Sequence, residues 1–112
     1  MSKIFTIDKK NKITIVRGDT AIFDLTLDNY TFVEGDKVYF TVKNTVYDTL
    51  NIIQKVITEF EENKVRIMLT KEDTDIDIGM YTYDVQCSLV NGLVDTVIIP
   101  ATFEVIGGVT SD

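Results

Sequence analysis

The chain has 112 residues, 45% apolar and 26% charged, the balance of one soluble domain with its own core. Eighteen acidic residues against 11 Lys and Arg give a net charge of -7, which repels phosphate backbones and argues against a nucleic-acid partner. Histidine is absent and Cys87 is the single cysteine, which excludes an internal disulfide, Ser-His-Asp and Cys-His catalysis, and nearly all zinc sites.

The opening stretch, MSKIFTIDKKNKI, has no apolar run of signal-peptide length, and no later segment reads as a membrane span. The expectation is a chain made and kept in a reducing cytoplasm until it assembles into something larger. KITIV is the first predicted strand, and it runs into Arg17-Gly18-Asp19. Integrin ligands display that tripeptide on a protruding loop. Here it is squeezed between two alternating runs, so a strand-to-strand crossover is expected, with Gly18 supplying turn freedom.

Alternation of period two dominates the chain from there on. Ala21, Phe23, Leu25 and Leu27 share one side of AIFDLTLD; Val38, Phe40 and Val42 share one side of KVYFTVK. Val65, Ile67 and Leu69 do so in KVRIMLT, and Tyr81, Tyr83, Val85, Cys87 and Leu89 in YTYDVQCSL. Each run offers one apolar face and one polar face, as in antiparallel sheets wetted on one side. Segment 50–60, LNIIQKVITEF, carries Leu50, Ile53, Ile57 and Phe60 at helical spacing, but its β-branched content and the turn-like EENK favour a strand. The last strand, VDTVIIPATFEVI, keeps Val97, Ile99, Ala101, Phe103 and Val105 in phase across Pro100, which should place it at an edge or bend it there.

Gly18-Asp19, Glu34-Gly35-Asp36 and Asn91-Gly92 punctuate the runs, Asn91-Gly92 as a hairpin turn. Thr70 followed by Asp73 resembles a capping box, so one short helical turn is expected near 70–76. Seven to eight short strands imply an all-β antiparallel sandwich, one domain over 1–112 with its core at about 12–106.

Candidate sites are few. Asp73, Asp75 and Asp77 have the spacing of half an EF-hand loop, but the glycine comes late and no Glu ligand follows, so no metal or other cofactor is expected. No carboxylate pair is singled out for hydrolysis, so the chain is read as not an enzyme. Cys87 is expected to be a buried small hydrophobe. Ile22, Tyr39, Met68 and Ile98 break the polar-outward rule and are the candidate protein interface, provided that they meet on one face.

The run Asp77-Ile78-Gly79-Met80-Tyr81-Thr82-Tyr83 resembles the D-x-G-x-Y-x-C segment of immunoglobulin domains, with Tyr83 in the place of the disulfide cysteine. That resemblance implies an immunoglobulin-like sandwich in which Tyr81, with Gly79 and Asp77, forms a tyrosine corner, its hydroxyl bonded to backbone just upstream. Without tryptophan or a cysteine pair, such a sandwich would be held by packing alone. The ordered set R-G-D-T, G-D-x-V-x-F-x-V, L-T-x-E-D-T, G-x-Y-x-Y-D-V-Q and N-G-x-V-x-T-x-x-P-A-x-F-E-V covers about residues 13 to 105. It is similar to small phage and prophage proteins of Gram-positive bacteria and to the N-terminal domain of siphophage baseplate upper proteins. The resemblance implies a non-enzymatic virion structural protein of tail, baseplate or head, made in the host cytoplasm. Its partners would be other virion proteins or a second copy of itself, with no membrane contact. The alternative is a carbohydrate-binding module facing the bacterial surface, with Tyr30, Phe32, Tyr39 and Tyr47 as the aromatic candidates.

Overall fold

The alternating runs become eight strands in the computed structural model, which describes residues 6–7 and 11–108. These are β1 (Thr6–Ile7), β2 (Ile13–Val16), β3 (Ala21–Thr26), β4 (Lys37–Lys43), β5 (Ile53–Ile57), β6 (Lys64–Leu69), β7 (Gly79–Ser88) and β8 (Val94–Ile106). One sheet has six strands in the order β1-β2-β8-β7-β4-β5; the other holds only β3 and β6. Their apolar sides share one core, giving a sandwich-like all-β arrangement. The ambiguous segment 50–60 is strand β5, and β1 precedes the first strand that the sequence announced.

The six-stranded sheet is mixed rather than antiparallel. β2 runs parallel to β8, with Ile13 opposite Phe103 and Val16 opposite Ile106. Alternation shows which face of a strand is buried, not the direction of its neighbour, so the sequence pattern is silent on this pair. From β2 the chain crosses to the other sheet through Arg17-Gly18-Asp19. Gly18 adopts φ 83°, Asp19 N–H returns to the Val16 carbonyl (3.0 Å), and the Thr74 hydroxyl donates to the Asp19 carbonyl (2.7 Å). The tripeptide is a tied crossover between the two layers.

No helix forms among the described residues, so the helical turn expected near 70–76 is not present. The capping box itself is there: Thr70 N–H donates to Asp73 Oδ2 (2.8 Å) and Asp73 N–H to Thr70 Oγ1 (3.2 Å). One bond from Thr74 N–H to the Thr70 carbonyl (3.2 Å) closes a turn, and the chain then departs. A single turn fixes several dihedrals for one bond, and the Thr-Asp-Ile-Asp run gives it no reason to propagate.

β8 carries the main irregularity. It takes five steps from Ala101 to Thr96 while β7 takes three from Tyr83 to Gln86, so two extra residues bulge from the ladder around Pro100. Pro100 has no N–H to give, and β2 pairs only with 103–106, so the outer side of β8 is locally an edge at the proline. The bulge also breaks the phase of the strand. Ile98 lies opposite Val85 and packs against the core, so it is not outward-facing and leaves the candidate interface.

The centre of the core holds aromatic rings. Phe40, fully buried on β4, meets Phe23 of β3 edge-on across the layers (centroids 5.7 Å, 67°). It also contacts Tyr83 (5.4 Å, 35°) and Phe103 (6.1 Å, 66°) in its own sheet. Tyr83 is buried and donates its hydroxyl to the Asn11 carbonyl, so the one polar atom of the cluster is satisfied. Tyr81 packs partly against the core, and its hydroxyl donates to the Asp77 carbonyl at 2.6 Å, four residues upstream. Burial, then the nearby Asp77 charge, pushes its ionisation up.

Candidate functional site

Two surfaces remain after the core and turns are accounted for. The first is the edge of β3 that faces away from β6, unpaired among the described residues. Leu27 N–H donates to the Asn63 carbonyl (2.9 Å), and the register steps from there by two. Ala21, Phe23 and Leu25 therefore direct their amides at β6, while Ile22, Asp24 and Thr26 direct theirs away from it. Among the described residues, no third strand pairs with β3 or β6. The inner faces of the two strands are unequal. Val65, Ile67 and Leu69 on β6 are covered, as is Ala21 opposite Leu69, but Leu25 and Phe23 opposite the other two and Leu27 further along are only partly buried. The core is thus incompletely roofed at β3.

On the outer face of this small sheet, Ile22 and Met68 stand directly opposite each other, 41% and 50% exposed. Next to them Arg66 grips Asp24 through two bonds (2.9 and 3.3 Å), which hold the Asp24 carboxyl below its usual range. Of the four interface candidates, only this pair meets. Tyr39 is on the outer face of the other sheet, and Ile98 is turned to the core.

The six-stranded sheet ends differently. Its edge strand β5 turns Lys55 inward, opposite Phe40, where Lys55 Nζ reaches Asp73 Oδ2 at 2.9 Å. An inward charge makes an edge unfit for further pairing. Burial pushes the Asp73 carboxyl up, but the bonds from Thr70 and Lys55 outweigh it and hold it below its usual range.

The second surface is the outer face of that sheet, hollowed into a depression of about 560 Å³. Its floor consists of the cross-strand row Gln54–Thr41–Asp84 and the neighbouring pair Tyr39–Gln86, and the loop after β4 supplies one wall through Val46, Thr49 and Asn51. Gln54 donates to the Thr41 hydroxyl (3.3 Å). Asp84 falls where the β7–β8 ladder opens, so it has no register partner on β8. Burial pushes its carboxyl up, against the opposing pull of Lys43.

The other predicted residues have structural posts. Tyr30 and Phe32 are not sugar platforms: Phe32 is buried and stacked on Phe60 (4.1 Å, 9°), and the Tyr30 hydroxyl donates to Asp36 at 2.6 Å. Tyr47 is 91% exposed in the loop after β4. Asp73, Asp75 and Asp77 do not converge: Asp75 pairs with Arg17 (3.0 Å), and Asp77 lends its carbonyl to Tyr81. Cys87 is buried, and desolvation, with Asp95 and Asp36 adding to it, pushes its thiol up.

Sequence reasoning missed two features. Asp36 looked like turn punctuation but is a fully buried carboxylate with three donors. The floor of the depression looked like an ordinary wetted strand face. Its one signal in the sequence is the dearth of Lys and Glu among Thr41, Gln54, Thr82, Asp84 and Gln86, where a plain solvated face would carry more charge. No protein-family model matches the chain, and no curated protein matches it either.

Proposed function

We propose that the protein is a non-enzymatic structural module of a phage or prophage virion, in tail, baseplate or head. Its fold is immunoglobulin-like, and it docks by adding a strand from a neighbouring virion protein to the edge of β3. The fold reading is supported by the strand order: β3 pairs with β6, and β4, β7 and β8 are consecutive neighbours in the other sheet, as strands B–E and C–F–G are in immunoglobulin domains. The observation that carries the docking role is the half-covered pair Leu25 and Leu27 beside three amides with no strand to pair with among the described residues. An added strand would pair those amides and cover both side chains in one step. Many copies of such a contact, each weak, hold a symmetric assembly by avidity.

The test is mass spectrometry of particles purified from producing cells, with the wild-type chain and with Thr26→Pro. Thr26 N–H points away from β6, so proline there removes no ladder bond but blocks the added strand. The wild-type chain is expected in the particles, with the variant depleted about tenfold although its Tm stays within a few degrees. Particles without the protein, or with equal amounts of the folded variant, would overturn the proposal.

A further inference from the structure

We propose that the hollowed outer face of the six-stranded sheet is a binding site for a neutral carbohydrate, separate from the β3 edge and independent of the docking role. The depression, at about 560 Å³, is within the size range of small-ligand sites. What lines it selects the ligand. Thr41, Asn51, Gln54 and Gln86 present hydroxyl and amide groups, which both donate and accept and so suit the hydroxyls of a sugar. The Tyr39 ring gives an apolar patch on the floor against which the C–H face of a pyranose can lie.

Asp84 gives the site its polarity. At Asp84 the ladder between β7 and β8 is broken by the bulge, and Pro100, which lines the same depression, has no N–H to offer. The Asp84 carboxylate lines the depression at this break in the ladder, and its two oxygens can accept a pair of adjacent ligand hydroxyls. Bulges recur next to binding sites because they aim a side chain out of the regular pleat. Charge excludes the other class of sugar. The lining carries one carboxylate, Asp84, and one ammonium, Lys43, so the charge that opposes a phosphate- or carboxylate-bearing polysaccharide is the net -7 of the chain.

The experiment is a chemical-shift titration of the 15N-labelled protein with maltohexaose, cellohexaose, mannohexaose and chitohexaose, and with polyglutamate as an anionic control. At least one neutral oligosaccharide is expected to bind at about 1 mM or tighter, with shifts confined to residues 39–43, 49–54 and 82–86. Tyr39→Ala and Asp84→Asn are each expected to weaken that binding about tenfold or more, while Tyr47→Ala, outside the depression, leaves it unchanged. Asp84→Asn is the decisive variant, because it keeps the size and shape of a side chain on the outer face of the sheet and removes only its charge. No shift with any neutral sugar, shifts that map to β3 and β6, or full binding by folded Asp84→Asn would each overturn the assignment. A failed titration leaves the β3 docking test intact, since that test uses the other sheet.

Discussion

Phe40→Ala is expected to lower the stability of the protein by about 4 kcal/mol, read as a fall in the urea midpoint at unchanged slope. The ring is fully buried and touches Phe23, Tyr83 and Phe103, so its removal deletes the contact that joins the two layers and leaves a cavity between β-strands that cannot collapse. A domain of this size commonly has about 5–15 kcal/mol in total, so the variant should approach global unfolding at 37 °C. Neighbouring changes should rank by burial. Phe23→Ala should cost about 2 kcal/mol, because Phe23 is only partly covered at the open edge. Tyr83→Phe should cost about 1 kcal/mol, because it keeps the ring and loses the bond to the Asn11 carbonyl. Equal costs for Phe40→Ala and Phe23→Ala would show that the ring cluster does not bridge the layers as described.

The second large effect is expected at Asp36. Its Oδ2 accepts the Tyr30 hydroxyl (2.6 Å) and Val33 N–H (2.9 Å), and its Oδ1 accepts Val90 N–H (2.8 Å). One carboxylate thus ties the loop after β3 to the β7–β8 hairpin. Asp36→Ala leaves three donors without their acceptor in a fully buried place, and should cost about 3 kcal/mol. Burial alone would push the Asp36 carboxyl up, but the bonds from Tyr30, Val33 and Val90 outweigh it, and its folded value lies below the ordinary one. A depressed carboxyl contributes stability that is present above its unfolded value near pH 4 and is lost as pH falls through the folded value. Wild-type stability should therefore fall on acidification below about pH 4, and Asp36→Ala should flatten part of that fall. The partner has the opposite sign. The bond to Asp36 pushes the Tyr30 hydroxyl up to about 12, so its contribution is present below pH 10 and is lost as pH rises through about 12. Absorbance at 295 nm should show one tyrosine titrating late in the wild type and returning toward about 10 in Asp36→Ala.

Much of the strand content was legible because period-two alternation reports burial directly. Phe40, Val42, Val65, Ile67, Leu69, Val85 and Phe103 are buried where the pattern put them. The Thr70–Asp73 box was legible as hydrogen bonds but misleading as a helix start, since the same box closes a turn as readily as it caps a helix. Ile98 was misassigned because phase was carried straight through Pro100, and a bulge of two residues is invisible to a periodicity count. The meeting of Ile22 and Met68, and of Phe40 with Phe23, depends on register between strands far apart in the chain, which no single run encodes. Asp36 and the depressed face were missed for a related reason. A turn acidic residue and a row of Thr and Gln look solvated until the topology places a loop, or a bulge, against them.

The open edge of β3 is most directly tested by amide hydrogen exchange along that strand in the isolated, monomeric protein. Ala21, Phe23, Leu25 and Leu27 should exchange slowly, while Ile22, Asp24 and Thr26 exchange close to unprotected rates. Uniform protection of all seven amides would mean that another segment already covers the edge, and strand addition at β3 would have no place to occur.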